Sequence, residues 1–467
     1  MSDFSLLQSG MQARFRSRSM GLKLIVVCAL ALLMAIPALF VEGLVEDRTA
    51  RAADVVKEIS DHVGGQQTFL GPTLAIPYSV PPQTQGEAAR HGIYLVFPAQ
   101  ASATAKTATA ERSRSLFKVP VFQADMTMDA SFDLTGVPDA LPPGAQLDWS
   151  HAEIVVGVSD ARGALADATL TESGNTVPFA PAAISQDIQI GSSQGQQRKL
   201  ALFGVRIEGL SKPGSKFNVS SALRFSGAQR IAVLAYGMTT HLSVQGDWAS
   251  PGFDGGFLPV SRSVTRDGFK AEWSVPFIAR GVRAEGSSEV LTGIDATALG
   301  ISFIEVADPY QSVARSLKYV LLFLGLLFLS YFVFEVTTGK RVHPAQYILV
   351  GFAQIIFYLL LLSLAERIGF DLGFLMAGGA TVALLSANAA WVFSSRLQGV
   401  RASAIFTSLY LLIYLLLRLE DNALLVGALA SFLAVAAAMY FTRTIDWYSS
   451  LPEPGATQQR ADPKASV

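Results

Sequence analysis

Residues 343–370 read HPAQYILVGFAQIIFYLLLLSLAERIGF, and this stretch decides the fold class. It is apolar over a length that crosses the hydrocarbon layer of a membrane, which takes about 20 helical residues. One amide side chain, Gln354, lies in its middle. A polar group in hydrocarbon must find a partner, so Gln354 either joins neighbouring helices or lines a path for a substrate.

The whole chain has the composition of a membrane protein. Of its 467 residues, 51% are hydrophobic and only 16% are charged, whereas soluble proteins carry about 25% charged residues. The net charge is −1, and no basic patch is interleaved with aromatic residues, so we predict no nucleic-acid partner. The single cysteine, Cys28, excludes an intrachain disulfide and a thiolate zinc site.

Six apolar windows predict six transmembrane helices, one near the N-terminus and five near the C-terminus. The first window is longer than the core of a cleaved signal peptide, which has roughly 7–15 residues. We therefore interpret it as an uncleaved signal anchor. The predicted helices span residues 22–41, 316–336, 345–365, 370–393, 402–419 and 423–441.

Lysine and arginine residues predict how the helices are oriented, because short cytoplasmic loops carry an excess of them. They cluster before the first helix, between the second and third, between the fourth and fifth, and after the sixth. We therefore predict that both termini, residues 1–21 and 442–467, are cytoplasmic and that residues 42–315 form a domain on the opposite side. The residues that carry this inference are Arg14, Arg16, Arg18, Lys23, Lys340, Arg341, Arg396, Arg401, Arg443, Arg460 and Lys464.

The large domain is predicted to be β-rich. Apolar residues alternate with polar ones in MTMDASFDL (residues 126–134) and FKAEWSV (residues 269–275), and several shorter runs resemble them. About ten or more strands with few helices between them favour an antiparallel sandwich or a curled sheet. The predicted fold class is thus a membrane protein of the α+β type, with this domain inserted between helices 1 and 2.

Two segments of the domain have a different pattern. Residues 46–65 place apolar side chains at helical spacing and end in two glycines, which predicts a helix that continues from the first span and packs on the domain. Residues 99–114, AQASATAKTATAERSR, are poor in large apolar side chains. Their composition predicts a mobile loop.

The sequence contains no pattern that establishes catalysis. GSSQG at residues 191–195 matches the nucleophile elbow of hydrolases, with Ser193 as the nucleophile, but no helix pattern follows it. That chemistry requires a strand, a turn and a helix, so a flexible hairpin loop is the better interpretation. The five histidines are not spaced as metal ligands, and no phosphate-binding or dinucleotide fingerprint occurs. We therefore predict no metal, no cofactor and no enzymatic activity.

One segment of the domain, GDWASPGFDGGFLP at residues 246–259, combines aromatic and acidic side chains with glycines. Such a loop on a rigid scaffold can bind a sugar or a peptide. The alternative is a structural loop whose aromatic side chains are buried. The candidate ligand or partner residues are Trp248, Phe253, Asp254 and Phe257.

Three predicted transmembrane helices carry a stripe of small or polar residues. We expect these stripes to face one another, either as hydrogen-bonded contacts between helices or as the lining of a substrate path. Transport favours ionisable residues near the membrane midplane, whereas Glu335, Glu366 and Glu420 lie near helix ends, where side chains reach the interface. This favours the structural interpretation. The candidate intramembrane contacts are Gln354, Tyr358, Asn388, Tyr414 and Arg418.

The longest runs of the chain resemble the CreD family of bacterial inner-membrane proteins. The resemblance is carried by residues 300–370, by LEDNALLVGA at 419–428 and by MYFTRTIDWY at 439–448. GPTLAIPY at 71–78 and FLPVSRSVTRDGFKAEW at 257–273 also resemble the family. The chain departs from the family pattern at Arg367 and Asn422, where a histidine and a tyrosine are expected.

The resemblance implies a multi-pass protein of the bacterial inner membrane with a periplasmic domain. It also implies a role in cell-envelope integrity and in the stress response to colicins and β-lactams, with production tied to a two-component sensor system. The expected partners are the lipid bilayer and a periplasmic envelope component or protein. The expected function is therefore non-enzymatic support of the envelope. The alternatives are a transporter or a protein that handles lipids or envelope precursors, and a periplasmic hydrolase.

Overall fold

The computed structural model describes residues 20–82, 88–114, 117–135, 141, 143–183, 187–191, 197–207, 215–303, 309–418 and 423–443. The chain divides into two compact units. A helical unit consists of Met1–Ala50 and Ala307–Val467, and a β-rich unit consists of Arg51–Val306.

The helical unit contains long apolar helices. The helices of the described chain are α1 (Met20–Leu33), α2 (Ala35–Val63), α3 (Phe277–Arg280), α4 (Pro309–Leu317), α5 (Val320–Thr338), α6 (Pro344–Ile368), α7 (Phe370–Val392), α8 (Arg396–Arg418) and α9 (Ala423–Thr442). A break at Met34 separates α1 from α2, because Pro37 has no N–H group for the carbonyl of Leu33. The start of α6 is capped, since His343 Nδ1 accepts a hydrogen bond from Ala345 N at 3.2 Å.

Among the described residues, five helical segments are long and apolar enough to cross a membrane: Lys23–Val63, Val320–Thr338, Pro344–Ile368, Phe370–Val392 and Arg396–Arg418. Large apolar side chains lie on their outer surfaces, such as Phe40 (77% exposed) and Leu375 (70% exposed). In water such surfaces are unfavourable, whereas in a bilayer they contact lipid tails. The predicted α+β membrane fold is confirmed.

The C-terminal half of α2 belongs to the β-rich unit. Val56, Ile59 and Val63 pack against a small apolar cluster formed by Val119, Val121 and Ala228. The helix ends because Gly64 (φ +94°) and Gly65 (φ +59°) take left-handed backbone conformations that favour glycine. The predicted helix, its end and its packing are therefore confirmed.

The β-rich unit is built from two sheets. The first contains β1 (Gln67–Val80), β2 (Arg90–Val96), β5 (Gln146–Leu147), β6 (Glu153–Val158), β9 (Ala180–Pro181), β10 (Asp187–Gly191), β11 (Gln197–Arg206), β13 (Arg230–Leu234), β15 (Pro251–Gly255), β18 (Glu285–Ser287) and β19 (Ala298–Phe303). The second contains β3 (Gln100–Arg114), β4 (Phe117–Asp133), β7 (Thr169–Glu172), β8 (Asn175–Pro178), β12 (Lys216–Ala228), β14 (Thr239–Gly246), β16 (Ser261–Thr265) and β17 (Gly268–Val275). The main strand orders are β10-β11-β6-β1-β13-β19-β15 and β16-β17-β14-β3-β4-β12-β7-β8.

The two sheets pack face to face as a sandwich. Phe69 of β1 meets Phe225 of β12 edge to face, with ring centroids 5.4 Å apart. Phe122 of β4 lies 5.2 Å from Phe303 of β19. The core between the sheets holds these aromatic side chains because alternate residues of each strand point inward.

Antiparallel pairs dominate both sheets, but two pairs run parallel: β1 with β13 and β3 with β14. The prediction of an antiparallel domain did not include them. Alternation along a strand shows which side chains face the core, and it carries no information on strand direction. These partners are also far apart in the chain, so no short hairpin imposes an antiparallel direction.

The prediction of a mobile loop at residues 99–114 is wrong. This segment forms β3, which pairs with β4 along its whole length and with β14 on its other edge. Ala101, Ala103 and Ala105 face the core and are at most 3% exposed. Small side chains suffice there because neighbouring strands supply the bulk. Tyr236 is fully buried, and its hydroxyl donates hydrogen bonds to the carbonyl oxygens of Ser102 and Asp129 at 2.8 and 3.0 Å.

Candidate functional site

The aromatic residues of the predicted binding loop pack against the core of the β-rich unit. The ring of Trp248 meets Phe303 edge to face at 6.2 Å. Phe253 contacts Trp273 at 5.9 Å between ring centroids. The carbonyl oxygen of Phe257 accepts a hydrogen bond from Trp273 Nε1 at 3.1 Å. The three aromatic residues are half-buried, and Phe253 lies in β15, so the contacts favour a structural role for this segment.

Asp254 is held by cationic and hydroxyl partners within the same unit. Arg230 Nε donates to Asp254 Oδ1 at 2.8 Å, and the Ser302 hydroxyl donates to Oδ2. The carboxylate is 39% exposed, so it lies at the surface with most of its hydrogen-bonding capacity already used. Asp254 therefore fixes β15 to β13 and β19.

The C-terminal end of this loop exposes aliphatic side chains, which the sequence did not predict. Leu258 is 68% exposed and Val260 is 76% exposed. Ile278 of the short helix α3, which follows β17, is 93% exposed. Isolated apolar residues in a loop give no periodic pattern that would identify them in a sequence.

The same short helix buries an arginine. Arg280 is 3% exposed, its Nε donates to the carbonyl oxygen of Ala235 at 2.8 Å, and its guanidinium lies 4.0 Å from the ring centroid of Phe97. Within the described chain, its two terminal nitrogens have no hydrogen-bond partner. Burial lowers the pKa of Arg280 to about 10. The contact with Phe97 is a cation–π interaction, which offsets part of the desolvation.

The outer face of the second sheet contains a cavity of about 560 Å³. Its floor carries a row of charges across three paired strands: Lys106 on β3, Asp125 on β4 and Arg224 on β12. Arg224 Nε lies 3.1 Å from Asp125 Oδ1. The next row contains the hydroxyl groups of Thr104 and Thr127. A row of charge beside a row of hydroxyls can bind a polar ligand that carries both hydroxyl and anionic groups.

This cavity was not predicted from the sequence, because the composition of residues 99–114 predicts a loop. The signal was the alternation in ASATAK (residues 101–106), which places Ser102, Thr104 and Lys106 on one face and Ala101, Ala103 and Ala105 on the other.

In the helical unit, Gln354 is buried and bonded to a neighbouring helix. Its Oε1 accepts a hydrogen bond from the Tyr410 hydroxyl of α8 at 2.6 Å, and it is 1% exposed. Within the described chain, Gln354 Nε2 and the fully buried Tyr358 hydroxyl have no hydrogen-bond partner. Gln354 thus joins α6 to α8.

Asn388 makes a second polar contact between helices. Its Nδ2 donates to the Tyr331 hydroxyl of α5 at 3.1 Å, and that hydroxyl donates to the carbonyl oxygen of Leu385 at 3.0 Å. Asn388 thus joins α7 to α5. The structure does not bring it into contact with Gln354 through any hydrogen bond among the described residues.

Tyr414 and Arg418 meet Asp371 at one end of α7 and α8. The Tyr414 hydroxyl donates to Asp371 Oδ1 at 3.1 Å, and Arg418 Nη2 forms an ion pair with Asp371 Oδ2. Both charged side chains are 56% exposed. The pairing of Arg418 with Asp371 shows why these residues are tolerated at helix ends.

Glu335 differs from the expectation that it reaches the interface. It is 2% exposed and forms an ion pair with Lys23 of α1. Its oxygens also accept hydrogen bonds from Val342 N at 3.0 Å and from the Tyr347 hydroxyl at 3.1 Å. These partners compensate the buried charge, so no contact with water is needed. The network ties α1 to α5 and α6.

The chain matches, over residues 19–448, the family model described as Inner membrane protein CreD. Inner membrane protein CreD of Escherichia coli (strain K12) is 31% identical to it over 444 residues, which cover 92% of this chain and 94% of that protein. The chain belongs to the CreD family. Membership in this family and the apolar helices together make it a multi-pass protein of the inner membrane.

Of the two positions that depart from the CreD pattern, the structure describes only Arg367. Arg367 is exposed at the end of α6, next to Glu366, which accepts a hydrogen bond from the Tyr310 hydroxyl at 3.1 Å. Asn422 lies outside the described residues.

The hydrolase hypothesis depends on a residue that the structure does not describe, and the metal hypothesis finds no site among the described residues. Ser193 lies outside the described residues, between β10 and β11, which pair antiparallel with Gly191 opposite Gln197. Across the described ranges, no three His, Cys, Asp or Glu side chains lie close enough together to hold a metal ion.

Proposed function

We propose that this protein supports the integrity of the bacterial cell envelope without catalysing a reaction, and that its β-rich unit acts as a periplasmic binding module. The cavity on the outer face of the second sheet carries this proposal. It combines about 560 Å³ of open space with two cations, Lys106 and Arg224, two carboxylates, Asp125 and Asp167, and hydroxyl groups. Its ligand is a polar envelope component that presents hydroxyl and anionic groups.

The proposed orientation places both termini in the cytoplasm and the β-rich unit in the periplasm. Its support is the distribution of lysine and arginine over the short connections between helices. The test uses single cysteines on a Cys28→Ser background and a maleimide that does not cross the membrane. In intact cells we expect labelling of Asn175→Cys, at the exposed edge strand β8, and none of Arg341→Cys. The reverse pattern contradicts the orientation.

The binding proposal is tested by reversing the charges of the cavity. In a strain that lacks the protein, a Lys106→Glu/Arg224→Glu variant should fail to restore resistance to detergents and β-lactams. Arg112→Glu is the matched control, because Arg112 is an exposed arginine on β3 that does not line the cavity. Both variants should reach wild-type levels in the membrane. Equal rescue by the two variants, or an unchanged resistance of the deletion strain, contradicts the proposal.

A further inference from the structure

The helical unit has a groove on its outer surface, between α7 and α8. Its volume is about 500 Å³, and its walls include Leu372, Leu375, Gly378, Gly379, Tyr410 and Leu411. At Gly379 the floor is open, since a Cβ atom placed there would meet no atom within 4 Å. The groove is therefore apolar, and its shape depends on a residue that has no side chain.

The length of the groove matches one leaflet of a membrane. Asp371 and Val382 both line it, and they are about 16 Å apart along α7 at a helical rise of about 1.5 Å per residue. Half of a hydrocarbon layer measures about 15 Å. The groove thus extends from the polar boundary to about the midplane, which is the depth that a single acyl chain occupies.

At its polar end the groove is lined by Asp371, and Arg418 lies beside that carboxylate. Asp371 and Arg418 form an ion pair there, and both are half-exposed, so each keeps donors or acceptors for a further partner. Tyr414 bonds to Asp371 at 3.1 Å, as aromatic residues commonly do at the membrane interface. A guanidinium binds phosphate, and a carboxylate binds a protonated amine. An anionic headgroup without an amine would leave its negative charge beside Asp371.

We propose that this groove is a binding site for a phospholipid with a zwitterionic headgroup. One acyl chain lies along Gly378 and Gly379, the phosphate contacts Arg418, and the protonated amine contacts Asp371. The site lies entirely within the helical unit, so it is independent of the ligand proposed for the β-rich unit.

Filling the groove tests the position of the acyl chain. The full-length protein is reconstituted in nanodiscs of equal parts phosphatidylethanolamine and phosphatidylglycerol, released into detergent, and analysed by native mass spectrometry. Wild type should retain one phosphatidylethanolamine, and Gly379→Leu should lower that retained fraction at least five-fold. Gly325→Leu is the matched control, since a Cβ at Gly325 of α5 also meets no atom within 4 Å, and it should retain lipid as wild type does.

Changing the headgroup end tests the class of lipid. Asp371→Asn removes the negative charge that pairs with the protonated amine but leaves Arg418 for the phosphate, so the ratio of retained phosphatidylethanolamine to phosphatidylglycerol should fall at least three-fold. An unchanged ratio overturns the proposal, as does equal retention by Gly379→Leu and wild type. Disulfide-linked dimers formed through Val382→Cys in membranes would show that a second copy of the chain occupies the groove, and would likewise overturn it.

Discussion

Tyr410→Phe should destabilise the helical unit more than Gln354→Leu, although the two residues share one hydrogen bond. The bond joins the Tyr410 hydroxyl to Gln354 Oε1 at 2.6 Å, in a region where both side chains are buried. The two substitutions remove the same bond but leave different groups behind. The difference between their free energies of unfolding therefore measures the cost of the buried polar groups that are left unpaired, and not the strength of the bond.

The expected magnitudes follow from what each substitution leaves unpaired. A hydrogen bond between membrane helices contributes about 0.6–1.7 kcal/mol, and an unpaired buried polar group costs about 1–3 kcal/mol. Tyr410→Phe removes the donor bonded to Gln354 Oε1 and leaves the buried amide with only Tyr358 as a polar neighbour, so we expect a loss of about 2 kcal/mol. Gln354→Leu removes that amide together with its unpaired Nε2. The Tyr410 hydroxyl keeps Thr381 as a neighbour, so the net loss should be under about 0.5 kcal/mol.

The assay is reversible unfolding of the purified protein in mixed detergent micelles, followed by helical circular dichroism. The double variant completes a thermodynamic cycle, and we expect a coupling energy of about 1–2 kcal/mol. A loss above about 2 kcal/mol for Gln354→Leu that also exceeds the loss for Tyr410→Phe would refute the reasoning. It would mean that Gln354 has a role beyond joining two helices.

Three further predictions concern other parts of the chain. Glu335→Ala leaves Lys23 and the Tyr347 hydroxyl without their carboxylate partner. It should lower the free energy of unfolding in detergent by about 3 kcal/mol. A loss under about 0.5 kcal/mol would show that the network is dispensable. Ala103→Leu places a large side chain at a buried position of β3 and should cost about 1–3 kcal/mol in thermal unfolding, with the exposed Thr104→Leu as a control that leaves the melting temperature nearly unchanged. Hydrogen bonds from Lys216 and Thr135 lower the pKa of Asp133 from 3.8 to about 2, so its contribution to stability is fully present above pH 3.8 and is lost as the pH falls through about 2. Acid unfolding of Asp133→Asn should therefore depend less on pH between 4 and 2 than that of wild type.

Strand β3 shows where composition is a poor guide. Its alanines and threonines contain too little apolar surface to predict a buried strand on their own. In the sandwich, the alanines need to bury only small side chains, because Tyr236 fills the space beside them and β4 and β14 satisfy the backbone. The alternation was present in the sequence, whereas Tyr236 and β14 lie more than a hundred positions away in the chain.

Glu335 shows the same difference for a charged side chain. Its position near a helix end was correctly read from the sequence, but its environment was not. The interface was the expected partner, and the actual partner is Lys23, which comes from the first helix of the chain. The spacing of residues along the sequence does not show that α1 and α5 pack together and bring these two side chains into contact.

The sequence by itself predicted the long apolar helices and the β-rich unit that lies between the first of them and the rest. Hydrocarbon permits only helices whose backbone groups are bonded within the segment, so a long apolar run has one outcome whatever surrounds it. Alternation likewise determined most of the strands. Only the tertiary structure decided the two parallel pairs, the burial of Glu335, the cavity on the second sheet and the groove between α7 and α8. Each of these depends on contacts between side chains of separate helices or strands. Local periodicity shows which face of an element is apolar, but it does not show which other element packs there.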